Sequence, residues 1–147
     1  MKIQSCTILG VDFFKESFNE LISEAQKGGL VLAPSGPGMA SDLPSCEFYR
    51  EAMKKADFIL PDSGLMCLWQ NLFTSNKVRR ISGLRFLETF LNEFKLFESS
   101  FWVMPDTKQS IKNITWIKKN YGYSIKEHQV YIAPIYSKVG HLVDATL

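Results

Sequence analysis

One carboxylate, one arginine pair and two Ser/Gly-rich turns are the residues whose types and spacing suit chemistry. Asp62 closes the run Phe58-Ile59-Leu60-Pro61-Asp62-Ser63-Gly64, in which three apolar residues read as a buried strand and a proline stops it. The Ser63-Gly64 turn then opens into the apolar run Leu65-Met66-Cys67-Leu68-Trp69. In an open α/β sheet, ligands bind at the carboxyl ends of the strands, so Asp62 stands where a ligand would arrive. The plainer alternative is that Asp62 caps the helix after it. A second loop, Pro34-Ser35-Gly36-Pro37-Gly38-Met39-Ala40-Ser41, lies between a strand and a helix and can turn backbone N–H groups toward an anion. It has neither G-x-x-x-x-G-K-[ST] nor G-x-G-x-x-G spacing, and a surface turn is the competing reading. Finally, Arg79-Arg80 precede Ser82-Gly83 at a helix start. Guanidinium groups match phosphate oxygens bidentately, so the pair can grip a diphosphate, although solvation is the commoner fate of such a pair.

These residues need a scaffold of alternating strands and helices. Residues 6–11 read as a short strand followed by Asp12. Ser17 and Glu20 have capping-box spacing, Phe18, Leu21, Ile22 and Ala25 share a helical face, and Gly28-Gly29 ends that helix. Residues 30–33 form the next strand. A helix from Ser45 points Phe48, Ala52, Met53 and Ala56 inward and Arg50, Glu51, Lys54 and Lys55 outward. Residues 65–73 are apolar on nearly all sides, which predicts a helix packed deep against a sheet with Trp69 in the core. Helical spacing of Leu87, Phe90, Leu91 and Phe94 predicts a helix over 84–97. Beyond it come a strand at 101–104, a helix carrying Ile111, Ile114 and Ile117, a break at Asn120-Tyr121-Gly122, and a strand at 129–133. Four of the strands close on prolines, Pro34, Pro61, Pro105 and Pro134. The expected fold is a single α/β domain over residues 1–147, with a Rossmann-like open, mainly parallel sheet and helices on both faces. Its ligand site belongs among those four loops.

The composition, 46% apolar and 13% aromatic over 147 residues, is enough to fill such a core. A net charge of +2 with scattered Lys and Arg gives no field suited to nucleic acid. Cys6, Cys46 and Cys67 are odd in number, far apart and without a C-x-x-C pair, so neither a disulfide framework nor a zinc site is expected and a reducing cytoplasm is. His128 and His141 are isolated, and no Asp-x-Asp motif occurs, so no metal and no cofactor are expected. No apolar run approaches a membrane span, and residues 1–7 lead toward a strand and not a signal peptide. Residues 137–147 read as the approach to a further helix, giving the expectation of a longer polypeptide.

With Ile8-Leu9-Gly10-Val11, Leu32-Ala33-Pro34-Ser35, the run Ala56-Asp57-Phe58-Ile59-Leu60-Pro61-Asp62 and Arg80-Ile81-Ser82-Gly83 in this order, the chain resembles the WecG/TagA/CpsF family of bacterial glycosyltransferases over nearly its whole length. The resemblance implies inverting transfer of an N-acetylmannosamine-type sugar from a UDP donor to a lipid-linked sugar acceptor. The setting it implies is the inner face of the membrane, in the synthesis of surface polysaccharide or teichoic acid. It also implies that Asp62 is the general base, with Ala33, Ser35, Gly36, Ser63, Gly64, Arg80, Ser82 and Gly83 around the substrates. Members of the family continue for roughly another hundred residues, a part that carries further nucleotide contacts and the membrane-docking tail. Homo-oligomers are a further expectation. This chain has Ala33-Pro34-Ser35 where the family often has Thr-Pro-Asn, and Ser63 stands between Asp62 and Gly64 where the family commonly has glycine directly. Two readings follow: a transferase, or a non-catalytic sugar-nucleotide-binding fragment of that family. A dehydrogenase is disfavoured because no G-x-G-x-x-G follows any strand.

Overall fold

The structure, a computed structural model, describes residues 4–34 and 36–135. Ser35, His141 and the run 137–147 lie outside the described residues. The chain divides into two compact units, Met1–Glu93 and Phe94–Leu147.

The first unit opens on a hairpin, β1 (Ser5–Ile8) paired antiparallel with β2 (Val11–Phe14), Ser5 opposite Phe14 and Ile8 opposite Val11. Its two turn residues, Leu9 and Gly10, have φ of 52° and 77°, as a two-residue turn of the type that suits strand twist requires. The expected single strand over 6–11 is therefore corrected to two strands, and Asp12 falls inside β2, where it accepts a hydrogen bond from Thr7 Oγ1. Leu9 hid the turn, because a leucine is not a residue that marks one. Strand alternation puts Cys6, Ile8, Val11 and Phe13 inside.

Helix α1 (Phe18–Ala25) starts with the expected capping box and buries Leu21, Ile22 and Ala25. After it, β3 (Val31–Leu32) pairs parallel with β4 (Phe58–Ile59). A wide helical turn, Gly38–Asp42, leads through α2 (Leu43–Ser45) to α3 (Glu47–Lys54). Met53 of α3 is buried and Tyr49 packs beside it, while Phe48 is 56% exposed. Met53 and Ala56 face the core as expected, whereas Tyr49 takes the place expected for Phe48, about 100° away around the helix, and Ala52 is exposed. Met39, Leu43, Met53, Ile59, Cys67 and Val78 join the hairpin's inner face in one core cluster. Phe14, Leu21, Phe58, Leu60 and Ile81 form a second, in which Phe14 meets Phe58 edge-on at 6.0 Å.

Helix α4 (Gly64–Phe73) corrects the expectation of a deeply packed helix. Only Cys67 and Gln70 are buried; Leu65 is 77% exposed, Trp69 53% and Phe73 71%, so Trp69 is not a core residue. Hydrogen bonds fix which face turns in: Cys67 Sγ donates to Pro61 O at 3.3 Å and Gln70 Nε2 to Asn76 O at 3.3 Å. Helix α5 (Gly83–Phe94) buries Leu91, whereas Leu87 is exposed. It ends earlier than expected because Lys95 adopts a φ of 48°, ahead of a 3-10 turn at Leu96–Ser99.

In the second unit, β5 (Trp102–Met104) and β6 (Val130–Ile132) pair in parallel, joined by α6 (Thr107–Tyr121). Asp106 caps α6 by accepting the Gln109 N–H at 2.7 Å, and Gly122 ends it at a φ of 69°. The buried Gln129 donates through Nε2 to the Phe97 and Ser100 carbonyls and accepts from Tyr123 Oη and the Lys126 N–H. The described strands therefore pair in twos, two pairs parallel and one antiparallel, in a mixed α/β chain. No helix among the described residues is long and apolar enough to cross a membrane.

Candidate functional site

Because β3 and β4 are parallel, Pro34 and Pro61 leave the pair at the same edge, and the two loops that the sequence singled out start side by side. Ladder bonding continues one step past β4, with Leu60 N–H on Leu32 O at 2.7 Å, and delivers Asp62 to that edge. A third segment is tied alongside by Ile81 N–H on Pro61 O at 3.2 Å.

Asp62 is held at three points. Its Oδ1 accepts Arg80 Nη2 at 2.9 Å, its Oδ2 accepts the Gly83 N–H at 3.1 Å, and its own backbone carbonyl accepts Arg80 Nε at 2.6 Å. The Asp62 side chain is 26% exposed and that of Arg80 57%, so the pair sits at the surface of the edge and is open to a ligand. Asp62 does not cap the helix that follows it. That task falls to Ser63, whose Oγ accepts the Met66 N–H at 3.3 Å, while Asp62 takes the first N–H of the later helix α5.

The remaining sequence-predicted residues gather around this pair. A Cβ on Gly83 would lie 2.5 Å from that of Ala33, a Cβ on Gly64 3.8 Å from Arg80 Cδ, and one on Gly36 3.6 Å from Ser63 Oγ. Ser82 lies between Arg80 and Gly83 in the chain and faces α5, its Oγ accepting the Arg85 N–H at 3.4 Å and its carbonyl the Phe86 N–H at 2.9 Å. Ala33, Gly36, Asp62, Ser63, Gly64, Arg80 and Gly83 thus form one connected cluster; Ser35 is outside the described residues.

A carboxylate offers about four lone-pair positions, and Arg80 and Gly83 fill two of those on Asp62. The others remain for a hydroxyl. Beneath the turn, burial raises the Cys67 thiol above its ordinary range, partly opposed by the Arg80 charge. Among the described residues, no three His, Cys, Asp or Glu side chains gather as metal ligands.

Beside the cluster lies an apolar cleft of about 660 Å³, with Gly36 and Ser63 in its wall and Leu9, Met39, Leu65 and Trp69 among its lining residues. Sequence reasoning missed Leu9 and assigned Trp69 to the core. The available signal was the run at 65–73, whose apolar residues outnumber what one buried helical face can hold. Comparison with protein-family models, with curated proteins and with solved structures gave no match.

Proposed function

We propose that the chain is an inverting glycosyltransferase that moves an N-acetylmannosamine-type sugar from a UDP donor to a lipid-linked acceptor, in the synthesis of surface polysaccharide or teichoic acid. The observation that carries this reading is the convergence of Ala33, Gly36, Asp62, Ser63, Arg80 and Gly83 at the carboxyl edge of a parallel strand pair. In the reaction the acceptor hydroxyl oxygen attacks the anomeric carbon as the bond to the UDP oxygen breaks. The hydroxyl proton passes to a free lone pair of Asp62, and UDP departs with the bonding electrons, its charge met by the Arg80 guanidinium. This reading takes the fold as Rossmann-like and puts the protein at the inner face of the membrane, in peripheral contact with it.

The second reading is a sugar-nucleotide-binding module without turnover. It is favoured by the engagement of both Asp62 oxygens and by Ala33 packing against Gly83 where the family often has threonine. Substituting Asp62→Asn tests the first reading, because asparagine keeps an oxygen for the Gly83 N–H but is no base. Transfer to a lipid acceptor falls by about 10²- to 10⁴-fold, the usual contribution of a positioned base, while the thermal midpoint moves by only a few degrees. Undiminished transfer sinks the assignment of Asp62, and nucleotide binding by the wild-type chain with no turnover selects the second reading.

A further inference from the structure

The outward face of α4 is apolar from end to end. Leu68 and Leu72, 55% and 67% exposed, join Leu65, Trp69 and Phe73 there. At about 100° per residue, the five positions fall within an arc of about 140°. From Gly64 to Phe73 the helix carries no charged residue. The apolar cleft beside it shares Leu65 and Trp69, and none of its lining residues is charged either. Together the five side chains expose roughly 600 Å², whereas monomers rarely show a contiguous apolar patch above a few hundred.

The rest of the helix is tied down. Gln70 Nε2 bonds Asn76 O, while Asn71 Nδ2 donates to Val78 O at 2.9 Å and its Oδ1 accepts the Val78 N–H at 2.8 Å. Trp69 and Phe73 lie against each other, ring centroids 5.7 Å apart. A face held this firmly loses little entropy when it is covered. A charged peptide finds no counter-charge on it. A helix lying in a membrane surface carries lysine or arginine on its polar side, and α4 has neither. A second copy of the same face fits: like meets like across a two-fold axis with no charge buried. Two such faces bury about 1,200 Å², the lower bound of a standard stable interface before the cleft wall adds to it.

We infer that two copies of the chain pair through α4, antiparallel about a two-fold axis at the middle of the helix. Leu65, Trp69 and Phe73 form one i, i+4 ridge and Leu68 and Leu72 the next, with a groove between them. The ridge of each copy enters the groove of the other, at the crossing of about 50° that such ridges favour. Leu65 of one copy then meets Phe73 of the other at both ends. The inference does not depend on the transferase reading.

The test is sedimentation equilibrium of the whole chain over about 1–100 μM, the weak end for interfaces of this size. The mass rises from 16.8 kDa to twice that value. Leu72→Glu raises the dissociation constant about a hundredfold or more, because each copy then brings a carboxylate into the interface. Leu87→Glu, at an exposed position of α5, leaves it unchanged. Circular dichroism checks that each variant is folded. Cross-linking locates the face without adding charge: in a Cys46→Ser background, where Cys6 and Cys67 are buried, a short bismaleimide joins two copies of Leu68→Cys but not of Leu84→Cys. A chain that stays monomeric throughout overturns the inference. So does a dimer indifferent to Leu72→Glu, or Leu68→Cys copies that do not cross-link. A monomer that floats with phosphatidylglycerol vesicles, and loses this in Leu72→Glu, gives the face to a membrane and overturns it too.

Discussion

Gly83 and Ala33 meet where no further side chain fits: a Cβ on Gly83 would stand 2.5 Å from that of Ala33 and 3.1 Å from Asp62 Oδ2. The start of α5 is drawn onto the end of β3 by that contact, and the Gly83 N–H can reach the Asp62 carboxylate because nothing intervenes. Gly83→Ala therefore overpacks the junction and costs about 1–3 kcal/mol. Urea unfolding measures the loss, and pairing the change with Ala33→Gly restores part of it, since the second substitution removes the atom that is struck. A Gly83→Ala variant as stable as the wild type would show that the junction yields without cost.

Asp62 was legible because a strand end marked by proline and turn residues falls on the ligand edge of parallel strands, whereas Arg80 and Gly83 were joined to it only through the resemblance. The α1 cap was legible too, since Ser17 and Glu20 need only each other. What failed to show in the sequence depends on distant partners. Trp69 looks like core until one sees that hydrogen bonds from Cys67 and Gln70 fix the opposite face inward. Arg85 carries no local signal of its own, since its position is set by Phe18, which belongs to another helix. Lys95 ends α5 in a left-handed conformation with no glycine or asparagine to announce it.

The capping box of α1 should make stability depend on pH in one direction. Ser17 Oγ accepts the Glu20 N–H at 3.3 Å, and Glu20 Oε2 accepts from the Ser17 N–H at 2.8 Å and from its hydroxyl at 2.6 Å. These hydrogen bonds from Ser17 hold the Glu20 carboxyl below its ordinary value of 4.5. A depressed carboxyl contributes stability above its unfolded pKa and loses it as pH falls through the folded one. The gap between wild type and Glu20→Gln is thus fully present near neutral pH and closes as pH drops below 4.5. Ser17→Ala costs about 1 kcal/mol. Denaturation curves collected across that range check both, and a gap that widens on acidification contradicts the assignment.

The three thiols should differ in reactivity. Cys6 and Cys67 are buried, Cys46 is partly exposed, and burial raises the Cys67 thiol, with its Sγ donating to Pro61 O. Thiolate is the reactive form. Titration of the native chain with an aromatic disulfide should give one fast-reacting group, absent in Cys46→Ser, and two more only on unfolding. Fast labelling of Cys67 in the native state contradicts its place beneath the Asp62 turn.

The hairpin turn offers a stabilising change. Leu9 has a φ of 52° and precedes Gly10 at 77°, so a side chain that disfavours the left-handed region sits where Asn-Gly is the preferred pair. For an ordinary L-residue that conformation costs about 1–2 kcal/mol, and asparagine tolerates it better because its short amide bonds locally. Leu9 is 57% exposed, so removing it from the lining of the apolar cleft gives up little burial. Leu9→Asn therefore gains about 0.5–1 kcal/mol, a rise of about 1–4 °C in Tm for a chain of this length. Leu9→Val moves the other way, because a β-branched side chain is least at ease at positive φ. Thermal melts of the two variants decide it: an asparagine variant that melts no higher than the wild type, or a valine variant that melts no lower, means that the turn does not hold this strain.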